Sequence, residues 1–575
     1  MCGILGGNKK SWNYQEALKT LQFRGPDGQR IVYDDEFTLG FSRLAIIDLS
    51  NNAMQPMSSE DGNYYIVFNG EIYDYLNIRR VLESKGYHFR TQSDTEVLLY
   101  SFIEWQDKMM DYIDGIFAFA ILDKKNKKIH LFRDRAGIKP LYYYDDGKNF
   151  AFASELKAIE KMCCDCKFVI DNTAIYDYYT YLYIPEPKTL YKNVYKLKAA
   201  THLVYDLAAR KIVTKKRYWK IKVNTKNGSI LTNKQLEEKS EELREHLDNV
   251  IKKQIISDVP VGTFLSGGVD SSIVTLMTRM NMNAVTAYSI GFTDKNLDES
   301  IYAKRMAEKI NVNIKSKTFT RNDFNRIYHL LPQLYDEPFA DTSAFPTYFV
   351  SQFAKKDITV VLTGDGGDEL FGGYPRCITA KEVLDKRKLC KKRISEAYIR
   401  IEKYLENINV DLGFICKEDL AYLAPMYQFS IRPDRNLLRK KYGIDKEYDD
   451  FWYYRQYYHK DLPPYTRMRY LDFMTYLNGD ILTKVDRATM ANSLEARVPF
   501  LDKEMIEFAF SLTQEECNPR GELKGLLKTA FEKEIPKKMF DRRKQGFSMP
   551  YGYVGGGNTC PQDQLLNDFW KMKTK

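Results

Sequence analysis

The run Val259-Pro260-Val261-Gly262-Thr263-Phe264-Leu265 passes directly into Ser266-Gly267-Gly268-Val269-Asp270-Ser271-Ser272. Leu243, Leu247, Val250, Ile251 and Ile255 precede it at helical spacing, so the apolar run reads as a buried strand between one helix and the next. Ile358-Thr359-Val360-Val361-Leu362 repeats the theme and ends in a second glycine-rich loop, Thr363-Gly364-Asp365-Gly366-Gly367-Asp368-Glu369-Leu370-Phe371-Gly372-Gly373-Tyr374. Two such units predict a doubly wound α/β sheet, with ligands at the carboxyl ends of its strands.

The first loop suits phosphate. Its glycines let backbone amides converge on an anion, its serines add donors, and the helix it opens supplies partial positive charge. The lysine of the common P-loop is missing. Ser-Gly-Gly-Xaa-Asp-Ser instead resembles the ATP-pyrophosphatase loop, which implies that pyrophosphate leaves ATP and AMP passes to an acid. The competing reading is a glycine turn with no ligand. In the second loop Asp365, Asp368 and Glu369 stand within five residues and repel one another unless cations intervene. Magnesium pyrophosphate, its metal held by Asp270 and Asp368, and an incoming ammonium are such cations, which makes this a metal- and proton-handling loop; a solvated acidic turn is the alternative.

The amino terminus, Met1-Cys2-Gly3-Ile4-Leu5-Gly6-Gly7, carries a different chemistry. Removal of Met1 leaves the Cys2 thiol beside a free α-amine. Their unperturbed pKa values are about 8.5 and about 8, so proton transfer between them is nearly balanced, and the thiolate is the attacking form. A single cysteine is more often a buried, inert one. Here, however, the glycines flank a short apolar strand and permit close backbone approach.

At 575 residues the chain is too long for one core. Up to about residue 215, apolar runs at Tyr64 to Phe68, Ile116 to Leu122, Ile129 to Phe132 and Leu141 to Tyr144 predict strands. A helix is expected from Ser93 or Asp94, with Val97, Leu98, Phe102 and Ile103 on one face. The domains read as 1–215, a polar linker 216–235, a second domain 236–550 and a short polar tail 551–575. With 87 Lys and Arg spread against 77 Asp and Glu, the net charge of +10 suits anionic small molecules and gives no nucleic-acid signature. The sequence shows no membrane-spanning apolar run or secretory leader, and nine cysteines form no disulfide framework, so a cytoplasmic protein is expected. Cys163, Cys164 and Cys166 lack the second half of a zinc ligand set.

Cys2 and the two loops occur together with Arg24-Gly25-Pro26-Asp27, Arg43-Leu44-Ala45-Ile46-Ile47-Asp48, Asn69-Gly70-Glu71-Ile72-Tyr73, Ser93-Asp94-Thr95-Glu96, Leu482 to Asp502 and Arg543-Lys544-Gln545-Gly546-Phe547. To about Pro550 the chain resembles the glutamine-hydrolysing asparagine synthetase family. The resemblance implies an α+β amino-terminal-nucleophile (Ntn) hydrolase domain, an αββα sandwich, joined to the α/β ATP-pyrophosphatase domain. It implies Cys2 as the nucleophile, with Asn69 and Gly70 as the oxyanion hole. Glutamine would be held by Arg43 at its α-carboxylate and by Leu44, Ala45, Ile46, Ile47, Glu71 and Asp94. Leu265, Ile290, Thr363 and Gly364 would frame ATP; Ser266, Gly267, Gly268, Asp270 and Ser271 would hold its phosphates. Lys544 would stabilise the departing pyrophosphate. Asp365 stands where the best-known members carry glutamate.

The implied reaction takes aspartate and ATP through β-aspartyl-AMP to asparagine, AMP and pyrophosphate, using ammonia that crosses between domains. A related enzyme amidating a carboxylate on a cell-surface polysaccharide or secondary metabolite is the alternative acceptor reading. A non-enzymatic degenerate copy would have lost Cys2, Asp270 or Lys544. No nucleic-acid or membrane partner is expected, and the resemblance allows a homodimer.

Overall fold

The computed structural model describes residues 2–226, 228–294, 298–377, 435–540, 554 and 561–573. In the amino-terminal domain two six-stranded antiparallel sheets form. The first runs Val194–Lys196, Tyr142–Asp145, Phe150–Ala153, Gly3–Gly7, Thr38–Arg43, Gly28–Val32; the second runs Lys211–Arg217, Thr201–Asp206, Lys128–Arg133, Gly115–Asp123, Tyr64–Ile72, Met57–Ser58.

Side-chain alternation decides the layers. Ile4, Phe41 and Phe152 of the first sheet meet Val67, Ala118 and Leu131 of the second in a core between the sheets. Leu5 and Tyr142 face the other way, against helices Tyr14–Lys19, Leu156–Met162 and Asn172–Tyr181. Phe68, Phe119 and Ile121 pack on helices Tyr75–Ser84 and Asp94–Trp105. The result is the expected αββα sandwich. The predicted helix begins at Asp94, where the Ser93 hydroxyl accepts the Thr95 N–H.

The second domain carries a five-stranded parallel sheet in the order Asn313–Phe319, Thr286–Phe292, Val261–Phe264, Val360–Leu362, Glu495–Arg497. The winding reverses between Val261–Phe264 and Val360–Leu362, so the two predicted glycine-rich loops leave neighbouring strands at the switch point. Helix Asn233–Gln254 enters this domain through a capping box of Thr232 and Gln235. The linker is not a free strap, because Asn224 donates its backbone N–H to the Phe510 carbonyl and its side-chain amide to that of Ser511.

Near the carboxyl end, Pro561–Lys573 forms a helix with Leu566 and Phe569 buried. Tyr179 of the first domain donates to Asp563, and Tyr328 of the second donates to Asp568. A reading of this stretch as polar tail overlooks Leu565, Leu566, Phe569 and Trp570, whose helical spacing is diluted by the charged residues between them. Among the described residues no helix is long and apolar enough to cross a membrane.

Candidate active sites

Cys2 lies buried beside the end of the first sheet. Its backbone nitrogen donates to Asn69 Oδ1 at 3.0 Å, and its thiol approaches the Leu44 carbonyl at 3.8 Å. The Cys2 carbonyl accepts from Arg24 Nε at 3.1 Å. Asn69 Nδ2 is buried and has no hydrogen-bond partner among the described residues, which leaves it as a donor for an anionic oxygen. Gly70 fixes that amide's place. A Cβ at residue 70 would lie 2.0 Å from the Ile116 carbonyl oxygen, so a side chain there would break the Gly70–Phe117 register. Burial raises the Cys2 thiol above its ordinary pKa, so attack requires a base at hand.

The other expected glutamine residues surround this centre in distinct ways. Arg43 donates to the Ser50 carbonyl at 2.7 Å and to that of Asp48, bracing the turn after its strand. Leu44 and Ile46 are buried, and the Ala45 N–H donates to Asp27 at 2.8 Å, which ties the two motifs together. Ile47 is half-buried. Asp94 accepts from the Ile72 N–H at 3.0 Å, and burial lifts its pKa to about 6. The Glu71 carboxylate instead engages Arg497 of the second domain at 3.1 Å.

At the switch point the two loops close on each other. A Cβ at Gly364 would lie 2.7 Å from the Ser271 nitrogen, and one at Gly367 would lie 2.5 Å from Asp270 Oδ1. Ser266 Oγ is 3.0 Å from Ser271 Oγ, Gly267 has φ +75°, and Gly268 opens helix Val269–Asn281 with no side-chain cap. This is the backbone expected to receive phosphate. Leu265, just past strand Val261–Phe264, and Ile290, on the neighbouring strand Thr286–Phe292, are buried, and the Thr363 N–H donates to the Arg497 carbonyl at 2.9 Å.

Asp270 and Asp368, expected as metal ligands, converge on one buried ammonium, Lys524 Nζ. The Asp368 contact is 2.8 Å, and Asp270 also pairs with Nζ. Burial works against this charge, but the two carboxylates outweigh it and raise the lysine pKa. Burial likewise lifts Asp365, against Lys484, and lifts Glu369 to about 7 with the help of Asp368. Lys544 lies outside the described residues.

Comparison with known proteins decides the family. The asparagine synthase profile matches residues 242–562, and the glutamine amidotransferase domain profile matches residues 1–219. Asparagine synthetase (glutamine-hydrolyzing) 1 of Bacillus subtilis is 34% identical, over 96% of this chain and 87% of its own. A Methanocaldococcus jannaschii relative is 37% identical, over 87% of this chain and 100% of its own. The chain belongs to the asparagine synthetase family.

A buried ion network joins this synthetase's two domains. Arg24 reaches Asp486 through both terminal nitrogens, at 2.8 and 3.1 Å, and Glu155 at 2.9 Å. Arg487 pairs with Glu155 at 3.0 Å and with Asp336 at 3.2 Å. Asp486 and Arg487 belong to helix Thr483–Met490, whose Lys484 pairs with Asp341 at 3.2 Å and acts electrostatically on Asp365. Leu44, Ile46, Ile116 and Ile138 share one apolar core with Leu265, Leu362, Leu482 and Val498. The segment Leu482 to Asp502 was legible as a match, but the interdomain roles of Arg487 and Arg497 were not. Lys524 carries no motif at all; its left-handed backbone, φ 55°, emerges only in the fold.

Proposed function

We propose that this synthetase hydrolyses glutamine at Cys2 and uses the ammonia to convert aspartate and ATP into asparagine, AMP and pyrophosphate. The observation that carries this reading is a shared apolar core. Leu44 and Ile46, of the segment whose Leu44 carbonyl meets the Cys2 thiol, share it with Leu265 and Leu362 at the nucleotide loops. Apolar surroundings between the two sites would keep ammonia in its neutral form. Met1 must be removed for the first half. The nitrogen that donates to Asn69 then becomes the α-amine that takes the thiol proton.

Cys2 Sγ attacks the glutamine side-chain amide. Asn69 Nδ2 and the Gly70 N–H receive the tetrahedral oxyanion, and the α-amine returns its proton to the leaving ammonia. Water hydrolyses the γ-glutamyl thioester to glutamate. Arg43 would hold the substrate α-carboxylate and Asp94 its ammonium.

In the second domain, Leu265, Ile290, Thr363 and Gly364 would frame ATP, with Ser266 to Ser271 on its phosphates. Aspartate attacks the α-phosphorus, pyrophosphate leaves, with Lys544 expected to stabilise its charge, and ammonia displaces AMP from β-aspartyl-AMP. Asp365, which stands where the best-known members carry glutamate, would take a catalytic part from the second loop, under the electrostatic influence of Lys484. Asp270 and Asp368 offer the hard oxygen donors that magnesium prefers, and the ammonium already between them marks a place built for positive charge. Bound there, magnesium would neutralise phosphate charge.

The test is incubation with ATP, magnesium and glutamine, with and without aspartate. AMP and asparagine should form only with aspartate; AMP formation with another carboxylic acid in its place overturns the acceptor assignment. Cys2→Ala should lose glutamine-dependent synthesis and retain synthesis from high ammonia, and loss of both would contradict two separable sites.

A further inference from the structure

Asp258 lies just before strand Val261–Phe264, on the approach to the first nucleotide loop, yet its hydrogen bonds go to the glutamine site. Its carboxylate accepts the Asp48 N–H at 2.9 Å, and its own N–H donates to the Ile46 carbonyl at 3.0 Å, so it is seated on the first domain from both sides. The segment it holds leads into the turn that Arg43 spans, with Nη1 on the Ser50 carbonyl at 2.7 Å and Nη2 on that of Asp48. Asp48 takes a left-handed backbone, φ 54°, which an aspartate tolerates when its carboxylate closes the turn locally. That carboxylate accepts from the Ser50 N–H at 3.1 Å, the Ser50 hydroxyl at 2.6 Å and the Gln92 N–H at 2.8 Å. Gln92 adjoins the Ser93 cap of the helix that begins at Asp94. One turn therefore touches Arg43 directly and the Asp94 segment through Gln92. On the other side, Arg497 donates to the Gln254 and Ile256 carbonyls, both at 2.7 Å, and accepts the Thr363 N–H of the second nucleotide loop at 2.9 Å, which fixes the segment leading to Asp258 in its own domain.

We propose that Asp258 is a positioning residue for glutamine: from the second domain it holds the Asp48 turn, and through that turn it aims the Arg43 guanidinium at the substrate α-carboxylate. This rests on the reading of Arg43 as the carboxylate clamp given above. A planar fork binds a carboxylate well when its orientation is set before the ligand arrives, because less freedom is then lost on binding. The Asp48 side chain secures the turn from within the first domain. Its backbone N–H points across the domain boundary, and Asp258 receives it. This bond is exposed to solvent, so water takes part of its place when it is lost, and the expected effect on glutamine recognition is about fivefold. Glutamine affinity thus depends on how the second domain is seated, although Asp258 itself touches no substrate.

Steady-state glutaminase kinetics of the full chain, read as glutamate released, provide the test. Asp258→Ala should raise KM for glutamine about fivefold while kcat stays within about twofold of wild type. Synthesis from added ammonia should be unchanged. Asp258→Asn, whose amide oxygen can still accept the Asp48 N–H, should bring KM back to within about twofold of wild type. Loss of folded protein lowers kcat and leaves KM alone, so the split separates aiming from stability. Asp258→Ser, whose hydroxyl falls a bond short, should match the alanine variant and takes its place if that variant fails to fold. An unchanged KM in the folded variants overturns the proposal, and so does a fall in kcat alone. Arg43→Lys, which keeps the charge without the fork, tells the two readings apart. It should raise KM by itself, and Asp258→Ala added to it should raise KM by less than about twofold more, because Asp258 acts through the fork. A normal KM in Arg43→Lys overturns the α-carboxylate clamp and the proposal with it. A raised KM there, with the full effect of Asp258→Ala still added, overturns the proposal alone.

Discussion

Asp94 sits at the start of helix Asp94–Trp105 with its carboxylate on the Ile72 N–H, and burial lifts its pKa to about 6. Only the ionised form can pair with a substrate ammonium. Glutaminase kcat/KM should therefore rise as pH increases through about 6 and fall below it, since protonation removes the partner charge. Asp94→Asn should abolish that acidic limb and raise KM for glutamine about a hundredfold, the loss of about 3 kcal/mol typical of truncating one side of a buried charge pair. A limb that persists in the variant would assign the titration to another group. Cys2 and Asp94 differ in how far sequence could carry them. A thiol beside an α-amine is a chemical fact of the chain, and Asp94 belongs to a recognisable motif. Its shifted pKa depends on strands distant in sequence, and the commitment of Glu71 to Arg497 depends on a residue more than four hundred positions away.

Strands and loops were legible wherever a local pattern sufficed. Val261–Phe264 and Val360–Leu362 announce themselves as apolar runs closed by glycines, and their adjacency in the sheet follows from doubly wound topology. Pairing across the sheets was not legible. His130 on strand Lys128–Arg133 and His202 on strand Thr201–Asp206 meet at 3.0 Å, with both rings buried against Phe102 and Phe132. Burial holds His130 at about 4 and His202 at about 3. The unfolded chain binds these protons from about pH 6.5 downward while the folded chain refuses them, so stability is lost as pH falls from about 6.5 toward 4. At pH 5 each ring contributes a loss of about 2 kcal/mol. Replacing both by glutamine should flatten the fall in melting temperature between pH 6.5 and 5, whatever its effect on stability at pH 7. An unchanged slope would place the acid sensitivity elsewhere.

At the scale of the whole molecule, the two active sites are tied together by charge as well as by apolar packing. Arg24 touches the Cys2 carbonyl with one nitrogen and Asp486 with the others; the helix that carries Asp486 also carries Arg487, on Glu155 and Asp336, and Lys484, beside Asp365. A rigid-body shift of one domain against the other would therefore break several buried pairs at once. Arg487→Met takes one counter-charge from Glu155, which keeps Arg24 and Lys157, and one from Asp336, which keeps Lys157, so the loss should lie below the figure of about 3–5 kcal/mol for a buried charge left alone. Lower stability alone would not show coupling, so the decisive quantity is the glutamate formed per asparagine. If the network holds the domains in register for ammonia transfer, that ratio should rise in Arg487→Met while synthesis from added ammonia persists at saturating aspartate and ATP. Arg487→Lys keeps a charge but not the planar fork that spans two carboxylates, and should fall between the two. A ratio equal to that of the wild-type enzyme, in a variant that melts earlier, would confine the network to holding the fold.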